Sequence, residues 1–176
     1  MKEGGFAGLH ALAATRRTFI KTLAFAAVAA HGGSSVAFAS YPDLPARLRF
    51  LTPMTHAIIS AFAHRILPPG GAFPEGALSI DVVQYFDAVI AAEPYEIQQD
   101  IKRALILLEF GPYLQLKFRR FTRMAPAQKD AYLTTWEQSD TTLQRGIFSV
   151  FKKICCLGFF SSEKIFSHIG YDGPWT

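Results

Sequence analysis

Cysteine is nearly absent from this 176-residue chain: there are two, side by side, at Cys155 and Cys156. Two cysteines cannot supply a four-thiolate iron–sulfur cluster, and no Cys-x-x-Cys-His run offers covalent haem attachment. Neighbouring cysteines on a helix point about 100° apart and rarely bond each other. Two readings stay open for the pair. One or both are buried thiols packed as small apolar groups, or one bridges to another polypeptide in an oxidising compartment.

Histidine is scarce as well. Beyond residue 39 only His56, His64 and His168 remain. His56, Ser60 and His64 share a helical face, but the two imidazoles lie about 12 Å apart by helix rise. That is too far for one metal, and Ser60 is a poor ligand between them; a solvated or hydrogen-bonded face is expected. An enzyme using this histidine face is the weakest of the functional readings. Gly32-Gly33 and Gly70-Gly71 are not followed by a phosphate-binding pattern, and there is no Gly-x-Ser-x-Gly nucleophile elbow. The acids are scattered over helix faces without a catalytic pair. No catalytic, cofactor-binding or metal-ligating residue is expected in this chain.

Long apolar runs are missing too. Residues 101–110 and 147–160 are short or broken by charge, against the ~20 apolar residues a membrane span requires. Net charge is small where it counts. The whole chain has 18 Lys and Arg against 14 Asp and Glu, but beyond residue 39 the balance is 14 to 13. The calculated pI of 9.2 therefore owes much to the first 39 residues and gives no reason to expect nucleic acid. The basic run Lys117, Arg119, Arg120 and Arg123 reads as a solvated face, or one that docks an acidic partner, before it reads as a phosphate site.

What is present begins with a leader. Thr15-Arg16-Arg17-Thr18-Phe19-Ile20-Lys21 precedes an apolar stretch over residues 22–30, and Ala37-Phe38-Ala39 sits before Ser40. Charged, apolar and small-residue parts in that order make a secretory signal. Arg16, Arg17, Phe19 and Lys21 resemble the twin-arginine (Tat) class, with cleavage expected after Ala39, alanines at 37 and 39 satisfying the site. Domains 1–39 (signal) and 40–176 (mature) follow, with the mature part in the periplasm and no transmembrane helix in it.

The rest is helical by pattern. Tyr41-Pro42-Asp43-Leu44-Pro45 reads as an extended arm. Thr52 is placed as an N-cap and Pro53 as the first helical residue, with Met54, Ile58, Ala61, Phe62 and Ile66 on one face. Ser79 is expected to cap a second helix carrying Val82, Val83, Phe86, Val89 and Ile90. A third, expected to be central, runs from Tyr95 to Phe110 and stops at Gly111-Pro112. A fourth is expected from Tyr113 to Met124, with Leu114, Phe118 and Phe121 inward and the basic run outward. A fifth starts at Pro126 with Tyr132, Leu133 and Trp136 inward. The last long one runs from Thr141 or Thr142 to Phe159, apolar nearly all round, followed by a short turn of helix at Ser161-Ser162-Glu163. The expectation is an all-α single domain of five or six helices with an extended N-terminal arm.

A Tat leader on a chain without cofactor ligands poses a question, because that route carries folded proteins, commonly ones holding a cofactor. The economical answer is a partner that binds cofactor in the cytoplasm and travels with this chain. The residues agree. Leu51-Thr52-Pro53 through Leu67-Pro68, Met124-Ala125-Pro126-Ala127-Gln128, Gly158-Phe159-Phe160-Ser161 and the closing Ile169-Gly170-Tyr171-Asp172-Gly173-Pro174-Trp175 resemble the gluconate 2-dehydrogenase subunit 3 family.

The resemblance implies an accessory small subunit beside a large glucose-methanol-choline (GMC) type flavoprotein that holds FAD. A multihaem c-type cytochrome often takes the electrons onward to quinone in such complexes, and sugars, sugar acids and polyols are their usual substrates. It implies further that the chain stabilises the flavoprotein, lends it the signal read by the Tat translocase, and meets the membrane through the complex. Phe159, Phe160, Tyr171, Pro174 and Trp175 are the candidate partner contacts, Trp175 being either a plug for this domain's core or an anchor in a partner pocket. Cys155 or Cys156 is the candidate intersubunit disulfide. The alternative is a free-standing periplasmic helical protein that binds an apolar ligand among its phenylalanines, of which the chain has 16.

Overall fold

The computed structural model describes residues 48–115 and 119–170. The leader with Arg16, Arg17, Phe19, Lys21, Ala37 and Ala39 lies outside them, as do the prolines of the arm, Lys117, Phe118, Tyr171, Pro174 and Trp175. The described chain is all-α: α1 (Pro53–Ile66), α2 (Val82–Ala91), α3 (Tyr95–Leu114), a 3-10 turn (Phe121–Arg123), α4 (Pro126–Glu137), α5 (Thr142–Phe160) and α6 (Glu163–Ile169).

The entry to α1 is fixed by side chains. The Thr52 amide donates to Thr55 Oγ1 at 2.8 Å, the Thr55 amide returns a bond to Thr52 Oγ1, and Pro53 occupies the first turn. Just upstream, the amides of Arg49, Phe50 and Leu51 all donate to the buried carboxylate of Asp87 on α2, at 2.8, 2.9 and 2.8 Å. Four consecutive amides thus find side-chain acceptors, and the segment before α1, bent at Arg49 and Phe50, is tied to α2.

The hub is α1, not α3 as the apolar width of α3 suggested. It packs against α2, α3, α4 and α5, through the fully buried Ile58, Ile59, Phe62 and Ala63. Ile59 and Ala63 take the inward places that Met54 and Ala61 were expected to fill; those two are half-buried. Phe62 meets Phe148 and Phe151 of α5 edge-on, at 5.7 and 5.8 Å between ring centroids, and Phe151 meets Phe86 of α2 at 5.7 Å. These T-shaped contacts fill the centre with ring edges against ring faces.

Three expectations from the sequence fail, the first for a local reason and the other two for non-local ones. Ser79 does not cap α2: its hydroxyl brackets Gly76, accepting from the amide and donating to the carbonyl, and α2 starts after Asp81 in a left-handed conformation (φ 55°). Nor does Gly111-Pro112 stop α3, which runs through both to Leu114. Pro112 has no N–H for the Leu108 carbonyl, and the Tyr132 hydroxyl of α4 donates to that carbonyl instead, at 3.2 Å. Gly111 makes room for it, since a Cβ there would overlap the Tyr132 oxygen.

The expected fourth helix is replaced by the 3-10 turn. The fully buried Glu109 draws the chain back, accepting from the Thr122 amide (3.0 Å) and hydroxyl (2.6 Å), with Arg120 Nε 4.0 Å away. Arg120, expected on the outer basic face, is thereby turned inward against Glu109.

Candidate partner-binding surface

α5 changes character along its length. Leu143, Ile147, Phe148, Phe151, Ile154, Cys155 and Phe159 are buried. Its outer face is polar at Arg145, Lys152 and Lys153, then turns apolar in the final turns. Leu157 is 58% exposed and Phe160 44%, and Ile169 at the end of α6 is 49% exposed. The sequence reading of α5 as apolar nearly all round did not single out Leu157 as exposed. The signal was available: Lys153, Leu157 and Phe160 fall at i, i+4 and i+7, so a lysine face continues as an apolar one.

The loop after α1 and the short α6 clasp this end of α5. Phe73 stands edge-on to Phe159 (5.5 Å) and Phe160 (5.9 Å) and lies 6.2 Å from the His168 ring. His168 Nε2 is 3.2 Å from Glu75 Oε2, and Lys164 donates to the Ser79 carbonyl at 3.1 Å. α6 ends at Gly170 in a left-handed conformation (φ 65°). Of the nominated contacts, Phe160 is at the surface, whereas Phe159 is a core residue, 2% exposed. Tyr171, Pro174 and Trp175 lie outside the described residues.

The two cysteines differ sharply. Cys155 is enclosed, and burial, aided by the adjacent Cys156, pushes its thiol up to about 12. Such a thiol stays protonated and unreactive at neutral pH. Cys156 is half-buried; burial raises its pKa too, with the Lys152 ammonium opposing. It lies four residues before Phe160, on the same side of α5.

The histidine face of α1 has a different character. His56 is half-buried, and its Nδ1 and the neighbouring Ser60 Oγ are enclosed without a hydrogen-bond partner. Burial lowers the His56 pKa, with Asp87 opposing, so the ring is held neutral. Among the described residues, no group of three or more His, Cys, Asp or Glu comes together to hold a metal ion. Glu137, Thr142, Arg145, Ser149 and Lys152 line an open groove of about 510 Å³ between α4 and α5, with Lys152 paired to Glu137 at 2.8 Å. Gly146 and Phe148 complete a lining that mixes apolar surface with hydroxyl and ion-paired groups. No described helix is long and apolar enough to cross a membrane.

No curated protein and no solved structure matches the chain. A family model, described as Gluconate 2-dehydrogenase subunit 3, matches residues 53–173. The match opens at Pro53, the first residue of α1, and takes in the six helices of the described residues together with the exposed apolar end of α5. By that match the chain belongs to the gluconate 2-dehydrogenase subunit 3 family.

Proposed function

We propose that this chain is a non-catalytic accessory subunit of a periplasmic, FAD-dependent dehydrogenase of the GMC type, acting on sugars, polyols or other alcohols. FAD and the substrate contacts belong to the large partner, and a c-type cytochrome often completes complexes of this kind. The observation that carries this reading is the family match running through every described helix. The exposed Leu157 and Phe160 give the partner an apolar face to cover, with Tyr171, Pro174 and Trp175 following closely in the chain. Cys156, beside that face, is better placed than Cys155 for an intersubunit disulfide. The twin-arginine leader at Arg16 and Arg17 serves the complex: it escorts a partner folded around its flavin.

The test is affinity capture of the tagged chain from periplasmic extract of its native host. Flavin absorbance in the eluate, one larger polypeptide and a reductant-sensitive band shift are the expected results. A colourless, solitary domain would overturn the assignment.

A further inference from the structure

From Phe110 to Lys129 the chain carries five bases and no acid. The two acids that flank the stretch are both engaged. Glu109 is buried against Thr122 and Arg120, and Asp130 holds Arg65 through two bonds of 2.6 Å. Arg119, Arg123 and Lys129 are left without an ion pair among the described residues.

Their surroundings reinforce the positive field. Lys129 is half-buried, with its ammonium 5.9 Å from the centre of the Phe121 ring. Burial and the nearby Arg65 lower its pKa, with Glu109 opposing. Arg119 and Arg123 are exposed. α4 begins here with no side-chain cap bond from Ala125 and no acid in its first turn, so the positive end of its dipole adds to the same region. Tyr113 and Leu114, 37% and 45% exposed, close α3 just before it. Elsewhere the exposed Arg103 and Lys152 each meet a carboxylate.

We propose that the α3–α4 junction, through Arg119, Arg123 and Lys129, docks an acidic face of a protein partner. The proposal rests on the accessory-subunit reading and adds to it a second contact, distinct in chemistry from the apolar end of α5. Carboxylates are the occupant that this charge pattern selects. They would supply the counter-charges that the junction lacks, and a half-buried ammonium gains more from a fixed carboxylate than an exposed one does.

The test uses the full chain in the complex purified from its own host. Arg119→Glu with Arg123→Glu, and separately Lys129→Glu, are compared with Arg103→Glu on the exposed side of α3. At low salt the reversals are expected to slow association about tenfold or more, with Arg103→Glu near wild type, and high salt should erase the difference. Amine–carboxylate zero-length cross-linking is expected to join Lys129 to an aspartate or glutamate of the partner.

Unchanged rates, or cross-links from other lysines only, would overturn the proposal. So would loss of binding to phosphatidylglycerol–phosphatidylcholine vesicles with complex assembly intact, which would assign the face to a membrane. If the wild-type chain yields no flavin-bearing complex, it is the accessory-subunit reading that fails. A Lys129 cross-link to an acidic, flavin-free polypeptide would then still support the docking face.

Discussion

Asp87 shows how much one side chain can hold. Its carboxylate is 3% exposed and accepts from three consecutive amides. Asp87→Asn keeps the shape but turns one acceptor into a donor that faces donors. The expected loss is about 2–3 kcal/mol, read from the urea midpoint at unchanged slope; a shift under about 0.5 kcal/mol would refute the role. His56, one turn into α1 and near Asp87, sets a pH dependence. Burial holds its folded-state pKa below the ordinary 6.5, so the unfolded chain binds the proton more readily. Its contribution is therefore full above pH 6.5 and falls as the pH drops below it. His56→Gln is expected to flatten the stability–pH curve in that window. A second loss belongs lower, where the Arg65-bonded Asp130, its pKa lowered from 3.8, protonates. Curves that superimpose near pH 6 would remove His56 from the account.

At the scale of elements, what the sequence made legible was whatever is decided locally. Thr52-Pro53 starts α1 and Pro126 starts α4 because caps and proline act within one turn. The end of α3 was illegible because its deciding group is Tyr132, 20 residues beyond Pro112. The 3-10 turn was missed likewise, since it depends on a buried Glu109 reaching Thr122 across 13 residues. Tyr132→Phe should cost about 1–2 kcal/mol by orphaning the Leu108 carbonyl. In a Pro112→Ala background the restored amide can serve that carbonyl, so the penalty should shrink; a double-mutant cycle without coupling would refute this. Glycines within α5 test its packing. A Cβ at Gly158 would press on Tyr85 of α2 at 2.8 Å, whereas Gly146 has nothing within 4 Å. Gly158→Ala is expected to cost about 1–3 kcal/mol. Gly146→Ala should gain about 0.5–1 kcal/mol from helix propensity. Thermal melts showing the same sign for both would contradict the α2–α5 contact.

For the molecule as a whole, the question is which aromatic residues serve the fold and which serve another chain. Adjacency in sequence made Phe159 and Phe160 look equivalent, and Phe73 meets both edge-on; burial separates them, Phe159 being 2% exposed and Phe160 44%. Phe159 is enclosed, so Phe159→Ala should cost about 3–5 kcal/mol and lower the amount of folded protein. Leu157 and Phe160 are exposed on the side of α5 that no described helix covers. Leu157→Glu with Phe160→Glu should therefore cost clearly less stability than Phe159→Ala, the loss coming from the edge-on contacts of Phe160 with Phe73 and Phe159, while cutting recovery of the flavin-bearing complex. Both readouts come from one preparation: urea unfolding of the isolated chain, and flavin recovered per captured chain. If the double variant unfolds as readily as Phe159→Ala, the two residues belong to this domain's own core. If it is stable and recovers the full flavin complement, the partner face lies elsewhere on the molecule. Stability kept and flavin lost is the outcome expected of a helical domain that leaves apolar side chains uncovered at one end for a second polypeptide to bury.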